Sequence, residues 1–252
     1  MLNIKKLKWS LLPIIKTVFY LFGKSWNDFY AWMLDYQDRR VTISDILRKS
    51  NSTKKYKGLW DWEQGKFFYD FIKEHGYRDD QIIFDIGCGY GRLAIPVLKN
   101  QLSGGAYVGS ELSVRRLQLA KDWIELEGLC DKNFELILSK GLSLDFLDEN
   151  SIDCFTAFSV FNHMPDVEFE ALANEINKKM KIGAIGFCHM VVNENYVYRG
   201  VEAFPRSLND IISLFNRSKF SVSVIDDYKI SKLQNSSYVR MFKITKTDGS
   251  IA

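Results

Sequence analysis

Phe84-Asp85-Ile86-Gly87-Cys88-Gly89-Tyr90-Gly91-Arg92 follows the apolar run Ile82-Ile83-Phe84 and precedes a helical pattern from Leu93-Ala94-Ile95 to Val97-Leu98. A buried strand therefore runs into a glycine turn, and the turn opens a helix. Glycine permits positive φ and close approach of a ligand to the backbone. The free N–H groups of a helix start attract a carboxylate or a phosphate. The spacing is D-x-G-x-G-x-G. A dinucleotide fingerprint is G-x-G-x-x-G, and counted from Gly87 its last glycine falls on Arg92. That departure argues against a nicotinamide or flavin enzyme.

A second signal lies downstream. Ala106-Tyr107-Val108-Gly109-Ser110-Glu111 reads as another buried strand, and it ends in an acid 20 residues after Gly91. A carboxylate in that place can accept hydrogen bonds from both ribose hydroxyls of an adenosine ligand. The pair FDIGCGYGR and YVGSELS resembles the class I S-adenosylmethionine-dependent methyltransferases over about residues 80 to 252. The resemblance implies S-adenosyl-L-methionine as cofactor, with its carboxylate at the helix start and its ammonium near Asp85. It implies contacts from Gly87, Cys88, Gly89, Gly91 and Arg92 in the loop, and from Glu111 and Leu112 after the second strand.

Strand and helix patterns alternate beyond this point, as a parallel sheet requires. Ser113 is placed to cap a helix through Val114, Leu117, Ala120, Ile124 and Leu126. Phe134–Leu138, Ile152–Ser159 and Ala184–Cys188 read as the third to fifth strands. A helix through Phe169, Leu172, Ile176 and Met180 precedes the fifth, and Pro205-Arg206-Ser207 opens another. Phe220–Ile225 and Tyr238–Thr245 alternate in polarity and are expected to pair antiparallel. The resemblance implies a Rossmann-like, seven-stranded, mostly parallel α/β sheet with an antiparallel last strand. The ligand should lie beyond the carboxyl ends of its strands.

Two segments bear on specificity. After the third strand the related proteins often place an acid near adenine. Here the chain reads Ser139-Lys140-Gly141-Leu142, and Asp145 comes later. Adenine is therefore expected against backbone N–H groups at Gly141 and the side chain of Leu142. The fourth strand ends in Ser159-Val160-Phe161-Asn162-His163-Met164-Pro165. This resembles the S-x-F-x-H stretch of small-molecule and glycan-modifying methyltransferases rather than the N-P-P-Y or D-P-P-Y of amide or adenine-amino methylation. Ser159 is a candidate cofactor contact and His163 a candidate general base, since imidazole titrates near neutrality. A purely structural role for His163 stays open, and His189 at the end of the fifth strand competes for the role.

Composition bounds the remainder. With 252 residues, 46% hydrophobic and 26% charged, the chain is ordinary globular protein with room for a large core. Cys88, Cys130, Cys154 and Cys188 are scattered without C-x-x-C, and His75, His163 and His189 form no H-x-x-x-H pair. Reduced cysteines, a cytoplasmic location and no metal site are the expectations. Residues 1–57 hold twelve Lys or Arg against four Asp, a net of +8, so the remainder carries −5. Five of the six Trp precede residue 63.

The chain is thus read as a basic, aromatic-rich helical extension or lid over residues 1–79, followed by the cofactor-binding domain over 80–252. Within the extension, Leu7, Leu11, Ile14, Ile15, Val18 and Phe22 recur at helical spacing with the lysines mostly off that stripe. Lys16 interrupts the apolar run and no small-residue cleavage site follows, so a signal peptide does not fit. An amphipathic helix, docked on the protein itself or peripherally on a membrane through residues 1–24, does. Ser25 is placed to cap a second helix with Trp26, Phe29, Tyr30, Met33 and Tyr36 on one face. Residues 42–58 read as a polar, mobile loop. Tyr56, Trp60 and Trp62 are candidates for a lid. The acceptor expected is an oxygen of a small molecule, a glycan or a lipid-linked intermediate. Nucleic acid, drawn by the basic extension, is the less favoured partner, and a cofactor-binding regulator without catalysis is the alternative of a different class.

Overall fold

The computed structural model describes residues 14, 17, 18, 21–24, 26–47, 62–192, 204, 206–225 and 239–248. The cap at Ser25, the lid aromatics Tyr56 and Trp60, the side chain of Trp62, and residues 48–58 of the expected loop lie outside that set, as do residues 1–13.

Seven strands form one sheet: β1 (Ile82–Ile86), β2 (Ala106–Glu111), β3 (Phe134–Leu138), β4 (Ile152–Phe158), β5 (Met180–Val191), β6 (Phe220–Ile225) and β7 (Val239–Lys246). Their order is β3-β2-β1-β4-β5-β7-β6. The pairs from β3 through β5 are parallel, and β7 runs antiparallel to both β5 and β6. The strand order reverses between β1 and β4, and at such a switch point the flanking connections diverge and leave a crevice beyond the carboxyl ends.

Helices cover both faces. The described ones are α1 (Trp26–Asp38), α2 (Ile43–Leu47), α3 (Trp62–Glu74), α4 (Ala94–Asn100), α5 (Val114–Leu126), α6 (Asp166–Lys179) and α7 (Leu208–Arg217). Side chains alternate across a strand, so neighbours in β1 serve different cores. Ile83 joins Phe71 and Ile72 of α3, Leu98 of α4 and Trp123 of α5. Phe84 joins Phe169 and Ile176 of α6 and Phe215 of α7. The first core therefore includes α3, which precedes the first strand in sequence. A small third cluster of Phe29, Met33 and Leu34 sits under α1.

Local chemistry accounts for the helix starts. Ser113 accepts a hydrogen bond from the Arg116 N–H. Ser207 and Asp210 form a reciprocal capping box at α7. The same device overturns part of the expected loop: Thr42 and Asp45 bond each other's backbone N–H groups and start the short helix α2. β5 is much longer than expected, and Met180, read as the end of a helix, begins it. Tyr36 is exposed beneath the Arg39 guanidinium, and Leu34 takes its place on the buried face of α1. In α5, Val114 and Leu126 are exposed while Leu119 and Trp123 are buried.

Candidate active site

The glycine turn leaves β1 as the sequence requires. Gly87, Gly89 and Gly91 have φ of +68°, +57° and +82°, a region that costs other L-residues ~1–2 kcal/mol. A Cβ on Gly87 would stand 2.7 Å from Val160 Cγ2. The turn is fastened to β2 by the Cys88 N–H, which donates to the Ser110 carbonyl at 2.9 Å. It is also met from outside by α3. Gly65 approaches so closely that a Cβ there would lie 2.0 Å from the Arg92 carbonyl oxygen. The Arg92 guanidinium donates to Gln64 Oε1 from the same helix.

Glu111 is buried at the end of β2. Its Oε1 accepts from the N–H groups of Leu112 (2.8 Å) and Ser113 (2.9 Å), and its Oε2 accepts from the Gly89 N–H (3.0 Å). One carboxylate thus joins the glycine turn to the start of α5. Asp85 lies behind the turn and off the cavity wall. Its oxygens accept from Tyr107 Oη and Thr156 Oγ1, each at 2.7 Å. Burial pushes its pKa up to about 6, against the pull of those two hydrogen bonds and of Arg92.

Ser159, first after β4, holds φ +63°. The strain is held by two contacts to the end of β5: its N–H donates to the His189 carbonyl at 3.1 Å, and its hydroxyl pairs with His189 Nδ1 at 2.8 Å. His163 follows in a single 3-10 turn, Phe161–His163. Its ring stacks on Tyr30 of α1, with centroids 5.1 Å apart. Burial, with the nearby Arg116 charge, pushes the His163 pKa down to about 4. Burial, with Arg92, does the same to His189. Both rings are therefore neutral at physiological pH.

These groups share a cavity of about 460 Å³, within the ~300–1,000 Å³ usual for small-molecule sites. Gly87, Cys88, Gly89, Arg92, Glu111 and Leu112 line it, and so do Gly141, Leu142, Ser159, His163 and His189. Gly91 is set back against Ala120, where a Cβ would have 3.2 Å of clearance. Of the expected site residues, only Asp85 and Gly91 are behind the wall rather than on it.

The sequence suggested a lid from residues 1–79 but did not name the side chains that roof the cavity. Tyr30, Met33 and Asp38 of α1 and Gln64 and Phe68 of α3 also line the cavity. Phe68 stacks on Phe158, with centroids 4.1 Å apart, and meets His189 edge-on. Asp38 pairs with Arg116 at 2.7 Å, and Asp35 accepts from Ser113 Oγ (2.5 Å) and the Arg115 N–H (3.1 Å). These bonds join positions some 80 residues apart, which no spacing rule anticipates. Among the described residues, no group of three or more His, Cys, Asp or Glu is placed to hold a metal ion.

Residues 83–183 match the family model described as a methyltransferase domain. Solved structures share the fold at low identity. An S-adenosylmethionine-dependent methyltransferase from Methanosarcina mazei is 16% identical with a TM-score of 0.56, over 70% of this chain and 97% of that one. Magnesium protoporphyrin IX methyltransferase from Synechocystis, solved with bound S-adenosylmethionine, is 14% identical with a TM-score of 0.60, over 85% and 96%. The cyclase SpnF is 14% identical with a TM-score of 0.59, over 75% and 83%. Residues 83–183 are thus similar to a methyltransferase domain, and the fold is one shared with S-adenosylmethionine-dependent methyltransferases.

Proposed function

We propose that the protein transfers the methyl group of S-adenosylmethionine to an oxygen of a small molecule, a glycan or a lipid-linked intermediate. One observation carries the reading. The glycine turn and Glu111, at the ends of β1 and β2, open into the same cavity as two neutral imidazoles, at the ends of β4 and β5.

The residues suit the cofactor. Glu111 offers acceptor oxygens for ribose hydroxyls, while Gly141 and Leu142 form a wall for adenine. Arg92 places a cation at the turn for a carboxylate. Asp85 acts from behind, fixing the strand ends on which the turn rests. Bound there, S-adenosylmethionine supplies a methyl group already activated by a sulfonium. The protein's share is to orient the acceptor in line with it, which can supply ~7–11 kcal/mol of the barrier. His163 is the proposed base: its neutral imidazole would take the proton of the acceptor hydroxyl as that oxygen gains the methyl group. The apolar walls from Tyr30, Met33 and Phe68 exclude water from that transfer.

The test uses purified full-length protein and a donor labelled on its methyl group. Calorimetry with S-adenosylhomocysteine reads cofactor binding, and label incorporation is followed into small-molecule, glycan, lipid and nucleic-acid fractions of a cell extract. Label in one of the first three supports the proposal. Label in nucleic acid alone replaces the acceptor class. Cofactor binding without transfer to any fraction favours a non-catalytic regulator.

A further inference from the structure

Ile14, Val18, Leu21 and Phe22 are left on the surface with exposures of 60%, 43%, 79% and 79%. Ile14, Thr17, Val18 and Leu21 are helical, and the Phe22 N–H donates to the Val18 carbonyl at 3.2 Å. At 3.6 residues per turn, the four apolar positions fall within an arc of about 100°. Single exposed apolar side chains are ordinary on a soluble protein, but a contiguous row marks an interaction surface. The sequence left two places for this stripe, the body of the protein or a membrane. The four described side chains are exposed rather than packed on the body of the protein, which favours the second.

Charge selects among the remaining occupants. At helical spacing the sequence positions of Lys5, Lys6, Lys8 and Lys16 fall outside the apolar arc, and Lys24 is exposed beyond it. The excess is local, with +8 over residues 1–57 against −5 in the remainder. A second copy seated on the stripe would bring two such segments together, like charge on like. An anionic lipid surface satisfies both halves of the pattern, with apolar side chains below the headgroups and lysines among them. Among the described residues no helix is long and apolar enough to cross a membrane, so the contact is interfacial.

We propose that Ile14, Val18, Leu21 and Phe22 insert into the surface of an anionic bilayer, with the neighbouring lysines at its headgroups, and dock the protein there. The inference does not depend on the identity of the methyl acceptor.

The experiment is sedimentation of the full chain with vesicles of phosphatidylcholine, alone or mixed with phosphatidylglycerol. The wild type should pellet with the mixed vesicles at low salt, stay in solution with phosphatidylcholine alone, and be released from the mixed vesicles at high salt. Leu21→Glu with Phe22→Glu should weaken vesicle binding roughly tenfold or more per side chain. Lys5→Gln, Lys6→Gln and Lys8→Gln together should weaken it about fivefold per lysine, the equivalent of ~1 kcal/mol each. Both variants should bind S-adenosylhomocysteine as the wild type does, which separates lost docking from lost folding. The proposal is overturned if the wild type ignores anionic vesicles, or if the Leu21/Phe22 variant pellets like the wild type. It is equally overturned if size-exclusion chromatography shows a dimer that this variant dissolves, because the stripe then belongs to a second copy.

Discussion

Replacing Glu111 by Gln keeps its size and removes its charge. In the native site Oε1 serves Leu112 and Ser113, and Oε2 serves Gly89. A Gln that keeps its oxygen on the first pair must turn its amide NH2 toward the Gly89 N–H, donor against donor. The charge-assisted bond lost is worth ~1.5–3 kcal/mol, and the Gly89 N–H, half-buried on the cavity wall, adds little to it. Glu111→Gln should therefore lower the unfolding free energy by about 1.5–3 kcal/mol in urea titrations. The cofactor adds a second demand. A carboxylate has about four acceptor positions, and three are already taken by the N–H groups named above. Two ribose hydroxyls then need the remaining position and the one held by Gly89, so the turn must give up that bond as the ribose arrives. The Gln variant has neither position to offer, and affinity for S-adenosylhomocysteine should fall roughly 10–150-fold per hydroxyl left unbound. Unchanged affinity by calorimetry would remove Glu111 from the cofactor site, and unchanged stability would show that the three backbone bonds do not hold the turn. Tight NADH binding by the wild type would refute the family reading itself.

His163→Ala should lower kcat by ~10²-fold or more with cofactor affinity within a few-fold; a variant that keeps the wild-type acidic limb of the pH–rate profile moves the role to His189. Gly87→Ala forces a Cβ toward Val160 at φ +68°, a strain of ~1–2 kcal/mol before any clash. Its melting temperature should drop by about 2–8 °C and its affinity for S-adenosylhomocysteine should weaken; an unshifted melt counts against a rigid turn. Stability should also depend on pH in a defined window. His163 and His189 have folded pKa values of about 4 against 6.5, so each adds stability above pH 6.5 that is lost as pH falls toward 4. Asp85 is raised from 3.8 to about 6 and opposes them, its contribution being lost as pH rises over that range. Two groups against one leave a net rise of about 3 kcal/mol from pH 4 to 6.5, and His163→Phe should flatten it in urea titrations. An unaltered slope in that variant shows that His163 is not titrating as the geometry requires.

The parts of the fold that were legible in the sequence are those whose physics is local. The glycine turn, the end of β2 at Glu111, the Ser113 cap and the β3 boundaries each rest on a few consecutive residues, and the structure has them where the patterns put them. The Thr42–Asp45 box was equally local and was obscured by the basic, polar residues around it. Which side chains of the extension roof the cavity was not legible, for a different reason. Tyr30 was placed only on one face of the helix after Ser25, and the folded chain alone shows its ring against His163 and that of Phe68 against His189. Asp85 was legible as an acid beside the glycine turn; its partners Tyr107 and Thr156, which reach it from strands far away in sequence, were not.

Ser113 stands where two separate jobs meet. Its N–H donates to Glu111, and its hydroxyl donates to Asp35 of α1 while accepting from the Arg116 N–H. The carboxylate proposed to meet the ribose and the helix that roofs the cavity therefore pull on one residue. Linkage makes that shared grip reciprocal: by whatever factor a bound cofactor steadies α1, α1 in place tightens the cofactor. A force on the chain ahead of α1, such as a surface holding Leu21 and Phe22, would be transmitted through Asp35 and Ser113. It would register as a change in cofactor affinity while the sheet beneath stayed still.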